Sequence, residues 1–115
     1  MLELGAGIGG LAGCTLAKKF PEARVVLSEI SPVCIENLEY NVNLNGLANT
    51  TVERLPWGED LARKFELILA ADCLYFLDAQ PLLINTIRQS LAPGGKALII
   101  GPRRKGSLDA FTKLC

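Results

Sequence analysis

The side chains able to do chemistry in this chain fall at three places. The first is Leu2-Glu3-Leu4-Gly5-Ala6-Gly7-Ile8-Gly9-Gly10, an acid followed by a glycine-dense stretch. Glycine adopts φ > 0 without steric penalty and, having no Cβ, lets a ligand come close to the backbone. The second is Glu29, about 20 residues beyond the last of those glycines and at the end of an apolar run, where α/β folds place a carboxylate that accepts from ribose hydroxyls. The third is Asp72-Cys73-Leu74-Tyr75, which follows the apolar run Phe65-Glu66-Leu67-Ile68-Leu69-Ala70-Ala71. Trp57, the single tryptophan, stands after Pro56 in a loop, where its ring walls an adenine or plugs the core under the loop.

Glycine spacing leaves two ligand classes open. Gly5, Gly7 and Gly10 spell G-x-G-x-x-G, the dinucleotide fingerprint, whereas Gly5, Gly7 and Gly9 spell the G-x-G-x-G of adenosylmethionine sites. Glu3 favours the second. A pyrophosphate is repelled by a nearby carboxylate, while a ligand carrying an ammonium and a sulfonium is attracted to one. The alternative role for Glu3 is to accept backbone N–H groups of the turn.

Composition removes other chemistries. The 115 residues contain no histidine, so a histidine-based triad is excluded. Cys14, Cys34, Cys73 and Cys115 show no C-x-x-C spacing, and a metal site is not expected. Three of them lie in apolar surroundings, which points to reduced thiols and a cytoplasmic setting, extending to the nucleus. Lys+Arg and Asp+Glu balance at 12 each, which argues against nucleic-acid partners. No apolar run approaches the ~20 residues of a membrane span and no signal peptide is visible.

The elements that must hold these groups read as a single α/β domain over residues 1–115. Met1–Leu4 predicts the end of a first strand, cut at its N-terminal side. A helix from Leu11 to Phe20 follows, with Leu11, Cys14, Ala17 and Phe20 on its apolar face and Pro21 as its stop. Residues 24–29 predict a second strand. Ser31-Pro32 opens the next helix and Asn45-Gly46 closes it. Strands are expected at 50–54, at 65–71 (buried on both faces) and at 96–100, the last after a turn at Pro93-Gly94-Gly95. Asp78 is read as the cap of the helix between the last two strands, with Leu83, Ile87 and Leu91 on its apolar face, and Ser107 as the cap of a final helix. Strand, glycine turn and helix in this order make a Rossmann-like, doubly wound sheet of five parallel strands, order 3-2-1-4-5.

Leu2-Glu3-Leu4-Gly5-Ala6-Gly7-Ile8-Gly9, Glu29, Leu55-x-Trp57-Gly58, Asp72-x-x-Tyr75 and Pro93-Gly94-Gly95 together resemble the seven-strand, class I protein-lysine methyltransferases. Ala71-Asp72-Cys73-Leu74-Tyr75 with Gly101-Pro102-Arg103-Arg104 is most similar to the calmodulin-lysine N-methyltransferases among them. The resemblance covers the middle of that family's catalytic domain, so the domain is expected to be truncated and to lack the family's final hairpin. It implies S-adenosyl-L-methionine as cofactor. Glu3, Gly5, Gly7 and Gly9 then hold its methionine end, Glu29 its ribose, Trp57 its adenine, and Ala71 lies against it. Asp72 and Tyr75 form the catalytic lip through which a protein lysine enters. Arg103, Arg104 and Lys105 grip an acidic, calmodulin-like protein substrate or form a solvated basic turn. Two other readings stand beside this one: an NAD-dependent oxidoreductase, in which Glu3 and the D-x-x-Y edge have no role, and a non-catalytic binding module that keeps the pocket.

Overall fold

The structure, a computed structural model, describes residues 1–59 and 61–115 and, of Arg104, the backbone. Asp60, the last residue of the Trp57 loop, lies outside the described residues. So does the side chain of Arg104, one of the three expected basic contacts. The five strands, numbered along the chain, take the order 3-2-1-4-5 expected from the sequence. The chain divides into two compact units, Met1–Pro56 and Trp57–Cys115.

The first unit contains β1 (Leu2–Leu4), α1 (Leu11–Lys19), β2 (Val25–Glu29), α2 (Pro32–Leu44) and β3 (Thr50–Arg54). β2 runs parallel to both neighbours, pairing Leu4 with Ser28 on one side and Glu29 with Arg54 on the other. Its first four residues are buried, and β-branched and leucine side chains suit a strand covered on both faces. The core joins Ala17, Val25, Leu27, Leu38, Val42 and Leu47. A leucine as completely covered as Leu27 or Leu38 contributes about 1.5–3 kcal/mol by leaving water. Asn49 locks the return from α1, its amide nitrogen facing the carbonyls of Ala17, Phe20 and Ala23 at 3.0, 3.2 and 2.9 Å.

The buried face of α1 differs from the expected one. Leu11 is 79% exposed and Phe20 41%, while Gly13 and Ala17 are the residues turned inward. They are one turn apart, and their small size lets the helix backbone lie against β2. A Cβ built on Gly13 would stand 2.2 Å from Leu27 Cδ2, so a larger residue has no room there. Ser31 does precede α2, with extended backbone and Pro32 in the first turn, but its hydroxyl makes no capping bond.

The second unit contains β4 (Phe65–Ala71), α3 (Gln80–Ser90), β5 (Leu91–Ile100) and α4 (Ser107–Leu114), with 3₁₀ turns at Leu77–Ala79 and Arg104–Gly106. β4 and β5 run parallel, in regular register from Leu67–Lys96 to Ala71–Ile100. β5 starts at Leu91, earlier than expected, because a register shift absorbs Pro93 and Gly94 into the strand. Pro93 cannot donate to a ladder and Gly94 takes φ +75°, so the irregularity falls on the residues read as a turn. Leu91 therefore leaves the apolar face of α3 and caps it. β4 is not buried throughout: Phe65, Ile68 and Ala70 are covered, while Glu66 and Ala71 are exposed. Asp78 sits inside a 3₁₀ turn, and Ala79, not Asp78, stands at the N-cap of α3. Gly106, at φ +77°, takes the N-cap position expected of Ser107, which is buried as the first residue of α4.

Candidate functional site

In the first unit the glycine stretch is a turn that only left-handed residues can follow: Gly5, Gly7 and Gly10 have φ of 61°, 64° and 53°. It is held from behind. Ala6 N–H donates to Ser28 O at 2.9 Å, Ser28 Oγ donates to Glu3 O at 2.9 Å, and Gly10 N–H donates back to Ala6 O at 3.1 Å. Gly10 also needs to be glycine for packing, since a Cβ there would lie 2.7 Å from Leu38 Cδ2. Gly7 and Gly9 are different. A Cβ on either would meet nothing within 4 Å, so the space before the turn is open at both.

Two carboxylates are tied to this turn. Glu29, at the end of β2, accepts from Gly7 N–H at 3.0 Å through Oε2 and from Ile30 N–H at 2.8 Å through Oε1. It thus links the strand end to the glycine backbone while remaining partly open to solvent. Glu3 is only 4% exposed, and its Oε2 accepts from Gly13 N–H at 2.7 Å. Gly13 is the third residue of α1, so Glu3 satisfies one of the free amides at the positive end of that helix. Glu3 thus accepts from backbone, its alternative role, but the amide belongs to α1 and not to the glycine turn. Burial raises its pKa above the ordinary 4.5, opposed by the bond from Gly13. Burial first, and then the charge of Glu3, also raise the pKa of Cys14, which keeps that thiol protonated and unsuited to nucleophilic attack.

An open cleft of about 280 Å³ lies between α1 and α2, lined in part by Gly9, Cys14, Lys18 and Asn41. Neither Glu3 nor Glu29 lines it. Two of its polar side chains are engaged by backbone: Asn41 Nδ2 donates to Ile8 O at 3.3 Å and Thr15 Oγ1 to Leu11 O at 2.6 Å.

The second unit carries Trp57, Ala71, Asp72 and Tyr75. Trp57 is half-buried, and its loop is anchored by Gly58 N–H donating to Thr86 Oγ1 of α3 at 2.7 Å. Ala71 ends β4 and is exposed. Asp72 follows with φ +53°, one of three described non-glycine residues with positive φ, and its N–H donates to Ile100 O at 2.7 Å. Aspartate is among the residues that tolerate this conformation best, and backbone outliers of this kind cluster at functional sites. Tyr75 is 56% exposed and its ring leans on Phe76, centroids 4.5 Å apart. Among the described residues no group of three or more His, Cys, Asp or Glu is placed to hold a metal ion.

A family model described as lysine methyltransferase matches residues 1–114. The chain belongs to the lysine methyltransferase family. It is similar to a calmodulin-lysine N-methyltransferase of Arabidopsis thaliana, 32% identical over 98% of this chain and 40% of the relative. It is also similar to the protein-lysine N-methyltransferase EFM3 of Chaetomium thermophilum, 30% identical over the whole of this chain and 39% of the relative. The chain therefore spans about two fifths of the length of those relatives. Among solved structures, a methyltransferase from Pyrococcus furiosus superimposes with a TM-score of 0.76 at 22% identity, over 98% of this chain and 60% of the other. At that identity the likeness shows the fold.

Two positions that shape the site escaped the sequence reading. Gly13 left a signal, a glycine inside a helical pattern, which is costly unless packing demands it. Gln80 left none.

Proposed function

We propose that this chain is the cofactor-binding part of an S-adenosyl-L-methionine-dependent protein-lysine N-methyltransferase. The observation that carries the reading is the pair Gly7 and Gly9. Gly7 is needed for its left-handed backbone, but Gly9 has neither a positive φ nor a neighbour that forbids a side chain, and both present bare backbone to open space, Gly7 with its N–H on the Glu29 carboxylate. That is a cradle which a ligand, and not the protein's own packing, would use. The acceptors also suit the group. Glu29 offers carboxylate oxygens to ribose hydroxyls, and the buried negative charge of Glu3 behind the turn favours a cation over a diphosphate. Trp57 would wall the adenine and Ala71 would lie against the cofactor.

When bound, the cofactor supplies a methyl group on a sulfonium with a good leaving group. The protein's task is alignment, so proximity supplies most of the acceleration. A free lysine, with pKa ≈ 10.4, is only about 0.1% neutral near physiological pH. Asp72 and Tyr75 orient the ammonium before it loses its proton. Asp72 does not act as a strong base, because an ionised carboxylate beside an ammonium favours the charged form. Arg103 and Lys105, both exposed, suit an acidic protein such as calmodulin. The four free cysteines support a reducing compartment, the cytoplasm and with it the nucleus.

Calorimetric titration with S-adenosyl-L-methionine and with NAD tests the cofactor. Saturable binding of the first alone is expected, and binding of NAD alone would overturn the reading. Mass spectrometry of calmodulin incubated with the whole protein and labelled cofactor tests the reaction, with Asp72→Ala as control. A methyl product lost in the control supports the assignment. Cofactor binding without transfer to any protein would leave a binding module.

A further inference from the structure

Gln80 opens α3 and is 1% exposed, yet it makes no cap for its own helix. Its Nε2 donates instead to Leu74 O at 3.0 Å and to Ser107 O at 2.9 Å. The amide orientation is unambiguous, because only the NH₂ end can face two carbonyl oxygens. Leu74 lies in the segment that carries Asp72 and Tyr75, and Ser107 closes the segment that carries Arg103 and Lys105. Closer to the sheet Asp72 N–H donates to Ile100 O, at the end of β5, and a Cβ on Gly101, the next residue, would stand in ordinary contact with Leu74 Cδ1 at 3.5 Å. The side chain of Gln80 carries this connection outward, past the end of the β4–β5 ladder.

We infer that Gln80 is a positioning residue that sets the lysine-receiving segment, Asp72–Phe76, at a fixed offset from the basic segment, Gly101–Ser107. A methionine would fill the same volume without the cost of burying an amide. What it could not do is direct two hydrogen bonds at once, and directional bonds fix an orientation that apolar packing leaves adjustable. The strut matters because both segments contain left-handed residues, Asp72 at φ +53° and Lys105 at φ +46°, that need surrounding structure to hold them. The consequence for catalysis rests on the function proposed above: a substrate gripped at the basic segment would have its lysine delivered to Asp72 and Tyr75 at a distance that Gln80 determines.

The test uses Gln80→Met, and the milder Gln80→Asn, whose shorter arm cannot span both carbonyls, in the whole protein. Amide hydrogen exchange should accelerate about tenfold in both segments, 72–76 and 101–107, the change expected for one lost hydrogen bond at each. Exchange in residues 1–56 should not change. With a protein substrate, kcat should fall about 10- to 100-fold, the scale of a reacting group displaced by an ångström, while cofactor affinity stays within twofold. Faster exchange in one segment only, uniform acceleration across the chain, or kcat within twofold of wild type in a folded variant would each overturn the inference. A wild-type protein that binds cofactor and methylates nothing would overturn the proposed reaction, and the exchange arm would then decide the strut by itself.

Discussion

The two units handle their chemistry-bearing residues in opposite ways. In the first, Glu3 and Glu29 are each held by backbone amides, and the turn between them is tied to Ser28 from behind. In the second, Asp72 and Tyr75 are exposed and Trp57 is half-buried. The cradle is built from groups that satisfy one another, so its shape is set before a ligand arrives. The second region is oriented from beneath, by buried polar residues such as Gln80 and Thr86 that grip backbone at a distance. Under the proposed function the difference follows from differential demands, since one small molecule is constant in shape and a protein surface is not.

Substitutions that separate packing from function break or sharpen this comparison. The largest effect is expected at Gly13. A Cβ would lie 2.2 Å from Leu27 Cδ2 and 2.5 Å from Glu3 Oε2, so Gly13→Ala should destabilise the protein by about 3 kcal/mol, the upper range for overpacking, as read by urea denaturation. Asp72 comes next. Asp72→Asn keeps a residue suited to φ +53° and should leave stability nearly unchanged, while lowering methyl transfer about 10- to 100-fold through loss of a charged hydrogen bond of about 1.5–3 kcal/mol. Asp72→Ala should lose the same activity and a further ~1 kcal/mol of stability, because alanine resists that backbone. If Asp72→Asn turned over at the wild-type rate, the carboxylate would have no part in the lip. Gly9→Ala should be neutral in folding, its new methyl meeting nothing, yet weaken cofactor binding about tenfold, or ~1.4 kcal/mol, by calorimetry. Undiminished affinity there would remove Gly9 from the cradle.

The smallest effect concerns Glu3. Its folded pKa lies above the ordinary 4.5 because burial disfavours the charged form, so the folded state binds the proton more tightly than the unfolded chain. Stability from this group is therefore complete below the unfolded value and is lost as pH rises through the folded one. Glu3→Gln retains an oxygen that can accept from Gly13 N–H and has no charge to desolvate. Denaturation profiles from acid to neutral pH should show the wild type losing stability relative to this variant across that window, and parallel profiles would mean that Glu3 pays no such penalty.

Much of the scaffold was legible because its signals are local. Alternating glycines after a short apolar run, the β-branched run ending in Glu29, Pro32 in the first turn of α2 and Gly46 after its end each act through the backbone of neighbouring residues. The misreadings were non-local. Leu11 looked like core by its hydropathy, but the helix turns Gly13 and Ala17 inward because its backbone must touch β2. Pro93 and Gly94 looked like a turn, and pairing with β4 takes them into the strand around a register shift. Asp78 had the chemistry of a cap and lies inside the 3₁₀ turn before the helix. The carboxylate of Glu3 was expected at the glycine turn, and its bond to Gly13, in the first turn of α1, depends on how that helix docks.

Residue order by itself determined the strand sequence, the turn that needs glycine at left-handed positions, and which side chains could do chemistry, since all three follow from backbone sterics and functional-group identity. Tertiary structure alone decided which glycines are there for packing and which face open space, that Glu3 is buried against a helix end, and that a glutamine with no motif around it reaches two distant carbonyls. Those properties depend on atoms far apart in the chain meeting within a few ångströms, and no short stretch of sequence encodes that distance.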